Sequence, residues 1–163
     1  MATELQTPAL HPDMKPLAFL LGTWRGEGAG EWPTSDPFRY GEELIFEHVG
    51  RPRLDYRQSS WDLEDNSAVH YERGFFRIHG PGKVGIVLAH QMGAVEVAEG
   101  TVSGSVIECA STSVGLLSSA PEITELRRRI EVADDTLTYD LWMAMTDIPL
   151  THHVTSKLER VSP

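Results

Sequence analysis

The feature that most constrains the fold is a succession of ten extended runs, separated by turn residues and without a long helical stretch between them. Apolar residues alternate with polar ones inside several runs, as with Tyr40, Leu44 and Phe46 on one face of the second. Such alternation is typical of strands with one face on a core and the other in water. The runs span about 23–30, 38–49, 54–62, 68–79, 83–91, 94–102, 106–113, 123–132, 136–145 and 151–161.

Strands in this number, joined by short turns, leave exposed edges unless the sheet closes on itself. We therefore predict an all-β fold, a ten-stranded up-and-down antiparallel barrel that leaves a cavity for one small ligand. The apolar segment 14–21 predicts a short helix that closes one end, with Asp13 as N-cap and Gly22 as its stop. Residues 1–12 are predicted to be a flexible tail, and residues 13–163 a single domain.

Charge and motif content exclude several classes of function. The net charge of −10 argues against a nucleic-acid partner, because phosphate binding needs a basic surface. No apolar run is long enough to span a bilayer, and the first residues do not resemble a signal peptide. The single cysteine, Cys109, lies in an apolar run and is expected to pack in the core without a chemical role. These features indicate a soluble, cytoplasmic protein. The sequence has no P-loop, dinucleotide-binding turn or zinc-protease motif, and most of its carboxylates are expected on solvated faces.

A glycine-rich motif opens the first run: Gly22, Trp24, Gly26 and Gly28 occupy alternate positions. Glycines on one strand face permit close packing or sharp curvature, and Trp24 on the same face is expected to close the base of a barrel. A Gly-x-Trp pattern near the start is shared by calycin-like barrels and favours that type of fold.

Adjacent imidazoles, His152 and His153, lie in the last run. Imidazole is the commonest protein ligand for transition metals and also binds haem iron, so both residues are candidate cofactor ligands. In a regular strand His152 shares the inward face of Val154 and Leu158, and His153 points outwards. The assignment reverses if the residues just after Pro149 precede the regular pleat, so the pattern alone leaves the choice open.

Arg128 falls on the inward face of the eighth run. A buried guanidinium needs a carboxylate partner, which is either a protein glutamate or a carboxylate of a cofactor. His90 is expected to be hydrogen-bonded or solvated, His11 solvated, and Met143 core filler unless a cofactor lies beside it.

Four segments, in this order and over about residues 17–161, resemble the nitrobindin family. They are Gly22-Thr23-Trp24-Arg25-Gly26-Glu27-Gly28, Glu31-Trp32-Pro33-Thr34, Val69-His70-Tyr71-Glu72-Arg73-Gly74-Phe75-Phe76-Arg77 and Pro149-Leu150-Thr151-His152-His153. The resemblance implies a barrel similar to fatty-acid-binding proteins that holds one ferric haem b per chain on a single histidine. It also implies binding of nitric oxide and isomerisation of peroxynitrite to nitrate. The expected partners are these small molecules, with neither nucleic acid nor membrane, and a second copy of the chain is a candidate partner.

The resemblance also assigns residues. It places the iron ligand and catalytic position on His153, with His152 as the rival, and the histidine of the opposite side of the haem on His70. Met143 matches a methionine near the haem, and Thr34 and Arg128 are expected to contact the haem or its propionates at the mouth. The competing interpretation is a lipocalin-like carrier of a fatty acid or another apolar ligand, in which the histidines are incidental.

Overall fold

Ten antiparallel strands form a closed barrel in the computed structural model, which describes residues 8–163. Each strand pairs with the next along the chain, and β1 closes the barrel against β10, so the predicted up-and-down topology is confirmed. The strands are β1 (Gly22–Trp32), β2 (Ser35–Glu47), β3 (Leu54–Asp62), β4 (Ala68–Gly80), β5 (Lys83–His90), β6 (Ala94–Ser103), β7 (Val106–Leu116), β8 (Ile123–Ala133), β9 (Thr136–Met145) and β10 (Ile148–Ser162).

A 3₁₀ helix, Pro12–Leu20, precedes the barrel and buries Met14, Leu17 and Leu20 in its core. The prediction of Asp13 as N-cap is wrong. Pro12 begins the helix, because its missing N–H and fixed φ suit the first helical position, and this moves the cap to the preceding residue.

His11 is therefore the N-cap, and its Nδ1 accepts a hydrogen bond from the Asp13 backbone N–H at 3.2 Å, although the sequence suggested no partner for it. Residues 1–7 of the predicted tail lie outside the described residues. Leu10, from the rest of that segment, packs against the core.

The glycine-rich motif lies in β1 and packs tightly. Trp24 is fully buried, its Nε1 donates to the Leu20 carbonyl oxygen at 2.8 Å, and the Arg160 guanidinium lies 4.0 Å above its ring. A Cβ on Gly26 would lie 2.9 Å from Leu158 Cα, and one on Gly28 would lie 2.6 Å from Ser156 Oγ. Both glycines thus allow β1 to approach β10 more closely than a larger residue would.

The ladder between β7 and β8 is shorter than these strands. It runs from Val106 opposite Glu131 to Ala110 opposite Arg127, whereas β7 continues to residue 116 and β8 starts at residue 123. Beyond the ladder, the Leu126 N–H donates to Ser111 Oγ at 3.0 Å. We call this part of the wall, residues 111–116 and 123–126, the β7–β8 seam.

The interior contains three carboxylates among residues 8–163, which are exceptions to the expectation that most of these groups lie on solvated faces. Glu42, Glu72 and Glu96 are 0%, 3% and 0% exposed. Each stands at an inward position of its strand, and the cost of burying it is offset by partners that also point inwards. Over residues 8–163, no helix has the length and apolar character needed to cross a membrane.

Candidate functional site

A cavity of about 250 Å³ lies inside the barrel. Its lining changes from exposed apolar residues to buried polar ones: Val69 is 45% exposed, whereas Gln58 and Glu72 are each 3% exposed. The lining residues are Phe38, Tyr40, Gln58, Ser60, Val69, His70, Glu72, His90, Met92, Pro121, Ile123, Leu126, Tyr139, Leu141, Met143, His153 and Val154. An apolar mouth over a polar floor suits a ligand that is largely apolar and carries a polar reacting centre.

A β-bulge in β10 decides which of the adjacent imidazoles faces this cavity. His152 pairs with Trp142 and Val154 with Leu141, so the register shifts at the residue between them. The shift breaks the alternation, and His153 lines the cavity together with Val154. The regular-strand expectation, with His153 pointing outwards, is therefore wrong because the strand is not regular at this point.

The ring of His153 is held in one orientation and one tautomer. Its Nδ1 lies 3.0 Å from the Glu31 carbonyl oxygen, which can only accept, so Nδ1 carries the proton and Nε2 has the free lone pair. Burial lowers the pKa of His153, which favours the neutral ring. The rings of Trp32 and Phe38 pack edge-on against it, with centroids at 5.0 and 5.9 Å.

His152 is engaged on the outside of the barrel. Its Nε2 lies 2.9 Å from Asp140 Oδ1, and its ring packs edge-on against Trp142 at 5.2 Å. It is an exposed residue and is not part of the cavity lining.

The remaining sequence-predicted site residues divide into two groups. His70 and Met143 line the cavity with His153. Thr34 is exposed in the turn between β1 and β2, and neither it nor Arg128 lines the cavity.

Arg128 pairs with two protein glutamates, so protein side chains supply the carboxylates that its buried guanidinium needs in this structure. Its Nη1 donates to Glu72 Oε1 at 3.0 Å, and its Nη2 donates to Glu96 Oε2 at 2.9 Å. Tyr56 also donates to Glu72 Oε1, at 2.8 Å. Burial would raise the pKa of Glu72, but Arg128 and the imidazoles of His70 and His90 hold it well below its usual value.

His90 bridges the same two glutamates. Its Nδ1 lies 3.0 Å from Glu72 Oε2 and its Nε2 lies 3.0 Å from Glu96 Oε2. Burial opposes the charge, but the two carboxylates raise the pKa of His90 to about 9. The expectation that His90 is hydrogen-bonded is confirmed, with carboxylates as its partners.

Glu42 forms a second part of this polar floor. Ser156 Oγ donates to its Oε2, and Gln58 Nε2 donates to its Oε1 at 3.3 Å. Burial raises the pKa of Glu42 to about 7. Tyr40 and Ser156 share a hydrogen bond at 3.0 Å beside it.

Sequence reasoning missed the three buried carboxylates and their arrangement, although a signal was present. Glu42 shares strand parity with Tyr40 and Leu44, and Glu72 shares it with Phe76, so alternation alone puts both carboxylates on inward faces. It could not show that β4, β6 and β8 bring Glu72, Glu96 and Arg128 into contact with one another.

Comparison with known proteins agrees with this architecture. The model of the THAP4-like, heme-binding beta-barrel domain matches residues 13–160. A relative from Mycobacterium ulcerans named peroxynitrite isomerase 2 is 45% identical over 157 residues, which cover 94% of this chain and 98% of the relative. A peroxynitrite isomerase of Arabidopsis thaliana is 40% identical over 158 residues, with 96% and 93% coverage.

A solved structure matches equally far along the chain. The crystal structure of Rv2717c from M. tuberculosis superposes with a TM-score of 0.87 at 41% identity, over 93% of this chain and 99% of that one. The nitrobindin resemblance and the predicted barrel are thus both confirmed. With a family match over residues 13–160 and relatives similar along nearly their whole length, the chain belongs to the THAP4-like, heme-binding beta-barrel domain family.

Proposed function

We propose that this protein binds haem through His153 and isomerises peroxynitrite to nitrate. The observation that carries the proposal is the neutral imidazole of His153, which lines the cavity with Nδ1 bonded to the Glu31 carbonyl oxygen and Nε2 free to bind iron. Relatives with 40% and 45% identity over nearly their full lengths are named for this isomerisation, which supports the same activity here.

The residues present fit such a group. A ligating histidine usually donates its other ring N–H to a carbonyl or carboxylate, which fixes its orientation and raises its basicity, and Glu31 does this for His153. Trp32 and Phe38 restrict the ring further. At the mouth, Val69, Met143 and similar apolar residues offer the surface that a porphyrin ring needs.

Ferric haem would supply a Lewis acid for the peroxynitrite anion, whose O–O bond breaks in the isomerisation to nitrate. The chain itself would contribute Nε2 of His153 to hold the iron, a cavity that limits access of water and solutes, and a polar group on the wall. His70 provides that group: it lines the cavity, and its Nε2 lies 3.3 Å from Glu72 Oε2, which holds the ring in place.

Finer properties follow from the family resemblance and remain proposals: haem of the b type, the ferric state, one haem per chain and binding of nitric oxide. Met143 is proposed to lie near the haem, and Thr34 and Arg128 to contact the haem or its propionates. A homodimer, a cytoplasmic location and the division into a tail of residues 1–12 and a domain of residues 13–163 are also proposed.

Haemin titration of the purified protein tests the proposal. We expect a Soret band that saturates at one haem per chain in the wild type and is lost or strongly shifted in His153→Ala, because that variant lacks the nitrogen that would bind the iron. The matched control is His152→Ala, which removes an adjacent imidazole that faces outwards and should leave the band unchanged. The haem-loaded wild type should also accelerate the decay of peroxynitrite, whereas His153→Ala should not.

The same titration separates haem binding from the lipocalin-like carrier. A carrier would give no saturable Soret band in the wild type and would bind a fluorescent fatty acid equally well in both histidine variants. An unchanged band in His153→Ala would contradict the assignment of the ligand.

A further inference from the structure

We propose that His70, Glu72 and His90 form a binding site for a divalent transition-metal ion in the wall of the cavity. This site is separate from any iron bound at His153. The proposed function already gives this cavity one metal, the haem iron, so the ion would be a second one.

The three side chains converge on one point. His70 Nε2 lies 3.3 Å and His90 Nδ1 lies 3.0 Å from the same oxygen, Glu72 Oε2. The three candidate donor atoms all lie within 4.8 Å of one another. Ligands about 2.0–2.2 Å from a zinc ion stand roughly 3–3.5 Å apart, so small side-chain movements suffice to enclose a metal.

His90 already has the orienting partner that a metal ligand needs. Its second ring nitrogen, Nε2, lies 3.0 Å from Glu96 Oε2. A carboxylate on the far nitrogen fixes the ring and directs the near nitrogen towards the metal, as in carboxylate–histidine–zinc arrangements. Arg128 donates to both oxygens of Glu72, at 3.0 Å to Oε1 and 3.3 Å to Oε2, and to Glu96 Oε2 at 2.9 Å, so it holds both carboxylates in place.

An unsatisfied acceptor beside the triad provides independent support. Gln58 is 3% exposed and lines the cavity, and its Oε1 accepts no hydrogen bond from any residue within the described part of the chain. Gln58 stands directly opposite Glu72 in the β3–β4 ladder. A buried amide oxygen in this position would be satisfied by the metal ion itself or by a water that the ion binds.

The donor set defines the class of metal. Two imidazole nitrogens and one carboxylate oxygen suit Zn²⁺, Fe²⁺ or Co²⁺, whereas Mg²⁺ and Ca²⁺ prefer oxygen alone. Three protein ligands that line a cavity leave coordination positions for water or a small molecule, which is typical of reactive rather than structural sites.

Equilibrium dialysis against Zn²⁺, with elemental analysis of the untagged full chain purified without added haemin, tests the proposal. We expect one zinc per chain in the wild type and no saturable binding in His70→Gln or His90→Gln. Glu96→Gln should weaken binding by about 10–100-fold, as loss of an orienting partner does elsewhere. Circular dichroism confirms that each variant is folded.

Two histidine variants serve as controls. His152→Gln changes an exposed histidine that also has a carboxylate neighbour, and His153→Ala removes the other cavity imidazole. Both should keep one zinc per chain. Absence of saturable zinc in the wild type, undiminished binding in His90→Gln, or loss of zinc in His153→Ala would each overturn the proposal. Since the readout is zinc content without haem, this result is independent of the Soret experiment.

Discussion

Glu42 shows how a single buried carboxylate makes the stability of the barrel depend on pH. Burial raises its pKa from 4.5 to about 7, so between these values the folded protein keeps a proton that the unfolded chain has released. Stability contributed by this proton is present at low pH, decreases as the pH rises from about 4.5, and is lost above about 7. The raised pKa corresponds to about 3 kcal/mol.

Replacing Glu42 by Gln should remove this dependence and keep the partners Ser156 and Gln58. Between about pH 4.5 and 8, the free energy of unfolding of the wild type should fall by about 3 kcal/mol more than that of Glu42→Gln. Urea denaturation at a series of pH values, with a chelator present, measures it. Parallel pH curves for the two proteins would show that Glu42 does not titrate in this range.

At this same scale, the residue pattern predicted the cavity imidazole only with help from the family motifs. Alternation alone left the choice between His152 and His153 open, because the pattern cannot show whether an extra residue interrupts the pleat of β10. Arg128 was predicted to point inwards and to meet a carboxylate, which it does. Its partners come from β4 and β6, and such pairing over long sequence separations depends on the closed sheet.

At the scale of the element, β1 depends on glycines where it approaches its neighbours. A Cβ at Gly28 would lie 2.6 Å from Ser156 Oγ and would also meet the ring of Tyr40. Gly28→Ala should therefore lower the free energy of unfolding by about 1–3 kcal/mol, as overpacking does in other cores.

Gly115→Ala is the matched control for this substitution, since a Cβ there has no heavy atom of residues 8–163 within 4 Å and the backbone needs no positive φ. Its stability should be unchanged or higher by less than about 1 kcal/mol, because alanine restricts the unfolded chain. Thermal or urea unfolding compares both variants with the wild type. Equal effects of the two substitutions would contradict the packing argument.

The elements themselves were predicted well because their signals are local. Alternation and turn residues identified all ten strands, and the helix at the start was predicted from its apolar residues. The helix type and its cap were not predicted, because Pro12 shifts the start by two residues and the nine-residue segment adopts 3₁₀ geometry. The segment is still anchored by three buried side chains, which is the part that hydrophobicity does encode.

At the scale of the whole molecule, the β7–β8 seam is expected to be the least protected part of the wall. Amides of residues 112–116 and 123–125 that point into the seam have no partner in a β7–β8 ladder, since the ladder ends at Ala110 and Arg127. Hydrogen exchange followed by mass spectrometry should show faster exchange there than in the paired part of β8, residues 127–131. Equal protection of the two parts of β8 would contradict this expectation.

Haemin should slow exchange in the seam, because Ile123 and Leu126 line the cavity. Exchange at the far end of the barrel, around Trp24 and the 3₁₀ helix, should change much less.

The short ladder between β7 and β8 has a consequence for how a flat guest molecule reaches the interior. In a wall with complete ladders, a sideways opening has to break ladder hydrogen bonds, whereas here the strand ends above Ala110 can part with loss of only the hydrogen bond described between Leu126 N–H and Ser111 Oγ. We therefore expect the rates at which a flat ligand enters and leaves the cavity to depend on this gap between β7 and β8. A covalent cross-link across the gap should slow both rates without altering the final affinity.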